Sequence, residues 1–310
     1  MMKRLIFLGT LGAVLLVAAA CGGGDDSNGD DAPTPASGLV AQVVSQDVAV
    51  GPNRFAVGLF DDEAGIITGA DASFRFFKAE GESEVAAGDA TARYVGLKSG
   101  FVHEHPDGAQ HPHTGDEVGL YIADAEFDSS GVWEVEVRAT VGGEERGPAR
   151  AAFQVAQESA APAIGDPAPA TRQTTLADVA GIAEVDTSAE PILEMHQLTI
   201  ADAVASGRPT VIVFATPAFC TSRLCGPVKE EVVDPLFPDY RDRVNFVHVE
   251  PYDIAAAREG SLQPIAAMAE WRLQTEPWVF VVDAEARIAA RFEGVLSQEE
   301  LRQALDALVG

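Results

Sequence analysis

The sequence predicts a mixed architecture, an all-β N-terminal domain followed by an α/β C-terminal domain, and three observations carry that reading. Between residues 38 and 156, apolar and polar residues alternate in short runs broken by Gly, Asp and Asn, the period of half-buried antiparallel strands. Between 174 and 310, continuous apolar runs alternate with helical stretches, as in a sheet covered by helices. The two zones are divided by residues 157–173 (QESAAPAIGDPAPATRQ), an alanine- and proline-rich stretch that reads as a linker. A chain of 310 residues suffices for two such domains.

The chain opens MMKRLIFLGTLGAVLLVAAAC. Lys3 and Arg4 form a basic head, and the uncharged run from Leu5 to Ala20 is shorter than the ~20 residues a spanning helix needs. This is the layout of an export signal. The small residues Ala18, Ala19 and Ala20 before Cys21, with three glycines after it, resemble the lipobox of bacterial lipoproteins. The resemblance implies that residues 1–20 are removed and that Cys21 is lipidated. It places the protein on the extracytoplasmic side of the cell membrane, held by its lipid. An ordinary cleaved signal that leaves Cys21 as a free thiol is the other reading. Residues 21–37 lack large apolar side chains, cannot bury a core, and read as a disordered tether.

Forty-eight acidic residues against 21 basic ones give a formal charge of −27, or −29 once Lys3 and Arg4 leave with the signal. Such a surface excludes nucleic acid as a partner, because phosphate binding needs a basic face. It offers no attraction to an anionic membrane either, so attachment rests on the lipid. Three cysteines are too few for a disulfide-stapled scaffold. With Cys21 as an anchor, Cys220 and Cys225 remain as a pair.

In the first domain the runs Arg54–Phe60, Ala72–Phe77, Gly119–Phe127 and Val132–Arg138 predict strands of an antiparallel sandwich. The string from Ser130 to Val135 (SGVWEV) resembles the turn and strand of bacterial immunoglobulin-like domains. That resemblance implies a spacer or a docking surface.

In the second domain, Leu198–Ala205 reads as a helix or turn, and Thr210–Ala215 as a buried strand. Cys225–Leu236 is predicted helical up to Pro235, and Val244–Val249 forms a second buried strand. Leu262–Leu273 is predicted helical, Trp278–Val282 and Ile288–Phe292 are strands, and Ser297–Val309 is an amphipathic helix with Leu301, Leu305 and Leu308 on one face. Ser297 and Glu300 make a capping box at its start.

The chemistry concentrates in Phe214-Ala-Thr-Pro-Ala-Phe-Cys220-Thr-Ser-Arg-Leu-Cys225-Gly-Pro-Val. A buried strand runs into two cysteines at the start of a helix, where unpaired N–H groups favour thiolate over thiol. Arg223 between them and Lys229 one turn later add positive charge. A thiolate nucleophile with a second thiol to resolve the mixed disulfide is what exchange chemistry requires. Residues five apart on a straight helix exceed the Cα separation of about 7 Å that a disulfide tolerates. Cys220 is therefore predicted in the loop or in a distorted first turn.

This region, about residues 174–310, resembles the thioredoxin-like superfamily. The resemblance rests on the strand and cysteine pair, on Cys225-Gly226-Pro227, and on Thr275-Glu276-Pro277-Trp278 ahead of a strand. It implies that Pro277 is cis and faces the cysteines. Arg223, Thr216 and Trp278 are read beside it as supporting residues. Here four residues separate the cysteines where the family usually has two. Two alignments stay open: Cys220 attacks and Cys225 resolves, or Cys225 aligns with the family's first cysteine and Cys220 resolves from the loop. A structural disulfide is the alternative to redox chemistry. A peroxiredoxin-like peroxidase ranks lower, since Thr216 lies one position too far from Cys220 for the Thr-x-x-Cys spacing.

Four of the six histidines, His103, His105, His111 and His113, fall in one segment read as a polar loop with Glu104, Asp107 and Asp116 nearby. Two His-x-His pairs suit copper or zinc. Copper-assembly factors of respiratory oxidases are similar in being thioredoxin-like, tethered and built on two cysteines and a histidine, with three residues between the cysteines. His196 and His248 read as ordinary core or helix-end residues. Trp271 and Trp278 read as packing or as walls of a peptide groove.

Three functions follow as expectations. The first is a membrane-anchored thiol–disulfide oxidoreductase acting on protein thiols and disulfides, with no cofactor required. The second is a copper- or zinc-binding module built on the histidine segment. The third is a non-catalytic cell-surface interaction protein.

Overall fold

A computed structural model describes residues 38–61, 65–81, 83–104 and 110–310. The expected signal, Cys21, the tether and His105 lie outside the described residues. Eight strands build the N-terminal half: β1 (Leu39–Val43), β2 (Gly51–Asp61), β3 (Gly65–Ile66), β4 (Asp71–Glu80), β5 (Ser83–Glu104), β6 (Gln110–Phe127), β7 (Gly131–Val141) and β8 (Glu144–Val155). They pair antiparallel in the order β1-β2-β6-β5-β4-β7-β8, with β3 on β2. Strand β5 passes from one wall to the other. Up to Ala92 it pairs with β4, and from Arg93 onward with β6. The sheet curls until β1 lies beside β8, an antiparallel near-barrel. An ion pair from Arg146 on β8 to Asp61 on β2 crosses this seam.

Alternation in the sequence fills the inside of the near-barrel. Phe55, Phe74, Phe76, Phe127 and Trp133 point inward and meet edge to face, with Phe127 and Trp133 centroids 4.9 Å apart. Gly96 and Gly119 face each other across β5 and β6. A Cβ at Gly119 would fall 2.6 Å from the Tyr94 hydroxyl, so glycine is what lets that ring lie across the strands.

The C-terminal half is a mixed four-stranded sheet of β9 (Thr210–Phe214), β10 (Asn245–Val249), β11 (Trp278–Val282) and β12 (Ile288–Glu293), ordered β10-β9-β11-β12. β10 runs parallel to β9, and β11 antiparallel to both β9 and β12. The central runs are buried at every residue, as their continuous apolar sequence requires. Short helices surround them: α1 (Ile200–Ala205), α2 (Cys225–Pro227), α3 (Asp234–Tyr240), α4 (Ile254–Arg258), α5 (Ala266–Glu270) and α6 (Gln298–Val309). The predicted Ser297–Glu300 capping box is present at α6.

Two helix limits differ from expectation. The helix beginning at Cys225 does not stop at Pro235. It continues through a π-helical turn, Val228–Val233, into α3, which takes Pro235 in its first turn. The helix predicted over 262–273 shrinks to α5, since Pro264 is held in a β-bridge with Tyr252. Among the described residues no helix is long and apolar enough to cross a membrane.

The stretch 157–173 is strapped to the sheet rather than hanging between the halves. Gly165 N–H donates to Ile288 O at 2.8 Å, and Ile288 N–H returns a bond to Asp166 O at 2.9 Å. The two halves share one apolar core: Ala56, Leu97, Leu120 and Ile122 pack with Val228, Val295, Leu296 and Leu301. Polar clamps rim it. Glu300 accepts from Arg54 Nε at 3.0 Å and from Arg93 Nη2 at 2.6 Å, and the Lys98 amide donates to Glu231 at 2.8 Å. β5 thereby lies directly against α2.

Candidate active site

β9 ends at Phe214, and the chain stays buried through Ala215–Phe219 before rising to the half-buried Cys220. Thr221, Ser222 and Arg223 are exposed, and the chain returns inside at Leu224 to begin α2 at the fully buried Cys225. Arg223 makes the reversal with φ 64°, a left-handed conformation uncommon for a residue with a side chain. The reversal brings the Cys225 amide, at the start of the helix, to donate to Cys220 Sγ at 3.2 Å. Ser222 Oγ is also 3.2 Å from that sulfur. Both cysteines are free thiols, and their sulfurs and the Glu276 carboxylate lie within 4.8 Å of one another. Cys220 thus sits in the loop ahead of the helix, where the spacing argument puts it.

The two sulfurs have opposite character. Burial pushes the Cys220 thiol up, but hydrogen bonds from the Cys225 side chain, from Ser222 and from the Cys225 amide outweigh it and leave Cys220 below an ordinary thiol. Cys225 is held well above an ordinary thiol, by burial first and then by the neighbouring Cys220 sulfur. Glu276 faces both. Burial raises its carboxyl above the usual range, against a bond of 2.8 Å donated by the Tyr252 hydroxyl. A carboxyl raised by burial therefore stands beside a sulfur whose thiol is lowered.

No family model matches the chain, and no curated protein matches its sequence.

Of the residues singled out in the sequence, Thr216 stands behind the pair. Its amide bonds the Cys225 sulfur, and its Oγ1 is sealed beside Glu250 without a well-formed bond. The Glu276–Pro277 bond is cis, and Ser222 Oγ donates to Glu276 O at 3.4 Å, so this turn closes over the cysteine loop. Trp271 and Trp278 belong to the apolar cluster distinct from the one that holds the cysteines. Trp278 stacks on Phe280 and donates its indole N–H to Thr275, so its contacts are those of packing rather than of a groove. Lys229 differs from expectation. It is fully buried and bonded to Asp234 at 2.9 Å, so it turns away from the thiols.

The histidine segment differs too. The backbone pairs His103 with His111 and Phe101 with His113, so these positions stand on two strand arms of a hairpin instead of in a loop.

Sequence reasoning missed Ser222, Tyr252 and Glu276, and it treated His196 and His248 as bland. The last two meet Asp186 in a second, sealed triangle. Asp186 Oδ2 lies 2.8 Å from His196 Nε2 and 3.4 Å from His248 Nδ1, and all three side chains are buried. These two triangles are groups among the described residues that could hold a metal ion. No spacing in the sequence joins the members of the second triangle, which lie on separate segments.

Proposed function

We propose that the protein is a thiol–disulfide oxidoreductase in which Cys220 is the attacking thiolate and Cys225 the resolving thiol. The observation that carries this reading is the Cys225 amide on the Cys220 sulfur, in a pair where one thiol is reachable and lowered and the other is sealed and raised. The sheet order, the cis Pro277 beside the pair and the strand-to-helix placement of the cysteines support a thioredoxin-like domain. The curled antiparallel half supports an immunoglobulin-like spacer that carries it. With lipid on Cys21, the pair would act on exported proteins at the outer face of the membrane.

The step balances as follows. Cys220 thiolate attacks one sulfur of a substrate disulfide, the substrate S–S bond breaks, and the departing thiolate takes a proton from Glu276 or water. Cys225 then gives its proton back to that carboxylate and attacks Cys220. The mixed disulfide breaks, the second substrate sulfur leaves as a thiolate that takes its proton from water, and the Cys220–Cys225 disulfide carries the two-electron oxidation. The reverse sequence oxidises a substrate dithiol. Glu276, bonded by Tyr252, serves as the local proton reservoir.

Cys225→Ser should leave Cys220 free to attack but unable to be resolved. Non-reducing electrophoresis of the variant with exported protein substrates should show a trapped mixed disulfide that Cys220→Ser lacks. Absence of any trapped species in Cys225→Ser refutes the assignment.

A second reading is copper or zinc binding by His103, His105, His111 and His113. What favours it is that β5, the strand bearing His103, packs beside α2 and its cysteine. Copper titration of the chain with those four histidines replaced by alanine, against the unaltered chain, separates it from the redox reading.

A further inference from the structure

The sealed triangle beneath the cysteine turn is absorbed by neither reading, and its hydrogen bonds do not close. His248 Nε2 lies 2.9 Å from Ala215 O. A carbonyl only accepts, so Nε2 carries the proton. In the neutral ring, Nδ1 then presents a lone pair into the triangle, where it has no hydrogen-bond partner although the residue is 2% exposed. It faces Asp186 Oδ2 at 3.4 Å, lone pair to carboxylate. The other Asp186 oxygen is occupied: the Ser188 amide and hydroxyl both donate to Oδ1, the amide at 2.8 Å. Oδ2 is thus aimed inward, where it accepts from His196 Nε2 at 2.8 Å, and His248 Nδ1 is the atom left without a bond.

We propose that Asp186, His196 and His248 form a buried site for one divalent ion of the zinc class. Two imidazoles and a carboxylate are a donor set that zinc accepts, and one cation that displaces the His196 Nε2 proton takes Oδ2 and both inward-facing ring nitrogens. The surrounding bonds are those that orient metal ligands. Ala215 O fixes the His248 tautomer that offers Nδ1, and the Ser188 bonds turn Asp186 so that Oδ2 points to the ion. Other charged groups face the site without filling it. Lys229 Nζ stands 4.0 Å from Asp186 Oδ2, with its charge matched by Asp234 at 2.9 Å, while Glu230 and Glu250 lie around it with one carboxylate oxygen each unpartnered. A cavity of about 380 Å³ adjoins the site, with Val185, His248 and Glu250 in its wall and Tyr252 and Arg258 among its lining residues. Water from that cavity can complete the coordination. The ion would tie the 182–196 segment to β10 and to the turn that carries the cysteines. This role is independent of whether the cysteines turn over.

The test uses the full chain with Cys220→Ser, Cys225→Ser and alanine at His103, His105, His111 and His113, which removes the competing ligands. Zinc is added, excess is removed with a weak chelator, and the bound metal is counted and examined by X-ray absorption. The expected result is one zinc per chain in a nitrogen and oxygen environment with imidazole scattering. His196→Gln, His248→Gln and the milder Asp186→Asn should each weaken binding by more than about 100-fold, beyond the 10–100-fold typical of residues that only orient ligands. No retained zinc, a sulfur environment, or binding unchanged by those three substitutions overturns the proposal. The absorption measurement is made on the unaltered triangle, so it stands even if a variant fails to fold. Failure with no zinc bound would mean that His248 carries a second proton there instead.

Discussion

The cysteine corner and the Asp186–His196–His248 triangle share a wall, the Ala215–Thr216 turn, yet they differ in almost every physical respect. The Thr216 amide bonds the Cys225 sulfur on one side, and Ala215 O takes the His248 proton on the other. The corner is half-open, with exposed residues 221–223 around Cys220, and its members differ in acidity. The triangle is sealed, and its donors converge on a point no solvent reaches directly. A group at a boundary can meet a partner and exchange electrons with it. A sealed group can only stabilise what surrounds it. On the proposed reading, chemistry belongs to the corner and the triangle holds the corner in place.

Removing the nucleophile breaks the comparison hardest. Cys220→Ser should lower disulfide turnover by on the order of 10³-fold or more, to the background of the assay. Cys225→Ser should still form the first mixed disulfide. Equal loss of that first step in both variants would erase the distinction between the two sulfurs.

Alkylation sharpens the same distinction. At neutral pH, iodoacetamide should label Cys220 at least about tenfold faster than Cys225, because the thiolate is the reactive form. The Cys220 rate should rise with pH through a midpoint below that of an ordinary thiol, as its lowered pKa dictates. Cys225 should stay unlabelled until the chain unfolds. Mass mapping of partly labelled protein reads both.

The corner also depends on the wall behind it, where β5 packs against α2. Leu120→Ala, at a buried position in the core shared by both halves, should cost about 2–4 kcal/mol. Calorimetry should show one transition moving as a whole. A separate early transition of the N-terminal half alone would mean that the two halves do not support each other.

The smallest effect is expected at Glu300, which burial pushes up but Arg54, with a bond and its charge, then Ser297 and Arg93 pull down to about 2. Burial also lowers Arg54 from its usual value, which still leaves it charged. A carboxyl depressed in the folded state contributes stability above its unfolded pKa of about 4.5 and loses it as pH falls toward 2. Discounted for the exposed part of the pair, Glu300→Gln should cost about 1–2 kcal/mol at pH 7 and almost nothing at pH 2. Denaturant melts at the two pH values test the sign.

The legible parts of this molecule were those in which neighbours in space are neighbours in sequence. The strands from Thr210, Asn245 and Trp278 announce themselves because every residue is buried and most are apolar. The cysteine pair is visible for the same local reason. Strand β5 was harder to see, since Gly96 and Gly100 interrupt its alternation while its two halves serve different partner strands. Glu276 and Tyr252 reach the cysteines only through the fold. The triangle is drawn from Asp186, His196 and His248, on three separate segments that no spacing rule joins. Lys229 misled because charge next to a motif in sequence can point inward, and here it faces Asp234.

The most direct measurement of the central claim is the equilibrium of the Cys220–Cys225 couple against a glutathione buffer, read by thiol trapping and mass. A reversible two-electron couple is expected, with a potential above about −300 mV, in which Cys220 alone forms the mixed disulfide with glutathione. A pair that forms no disulfide, or one that stays oxidised well below about −300 mV with no mixed species, would contradict it.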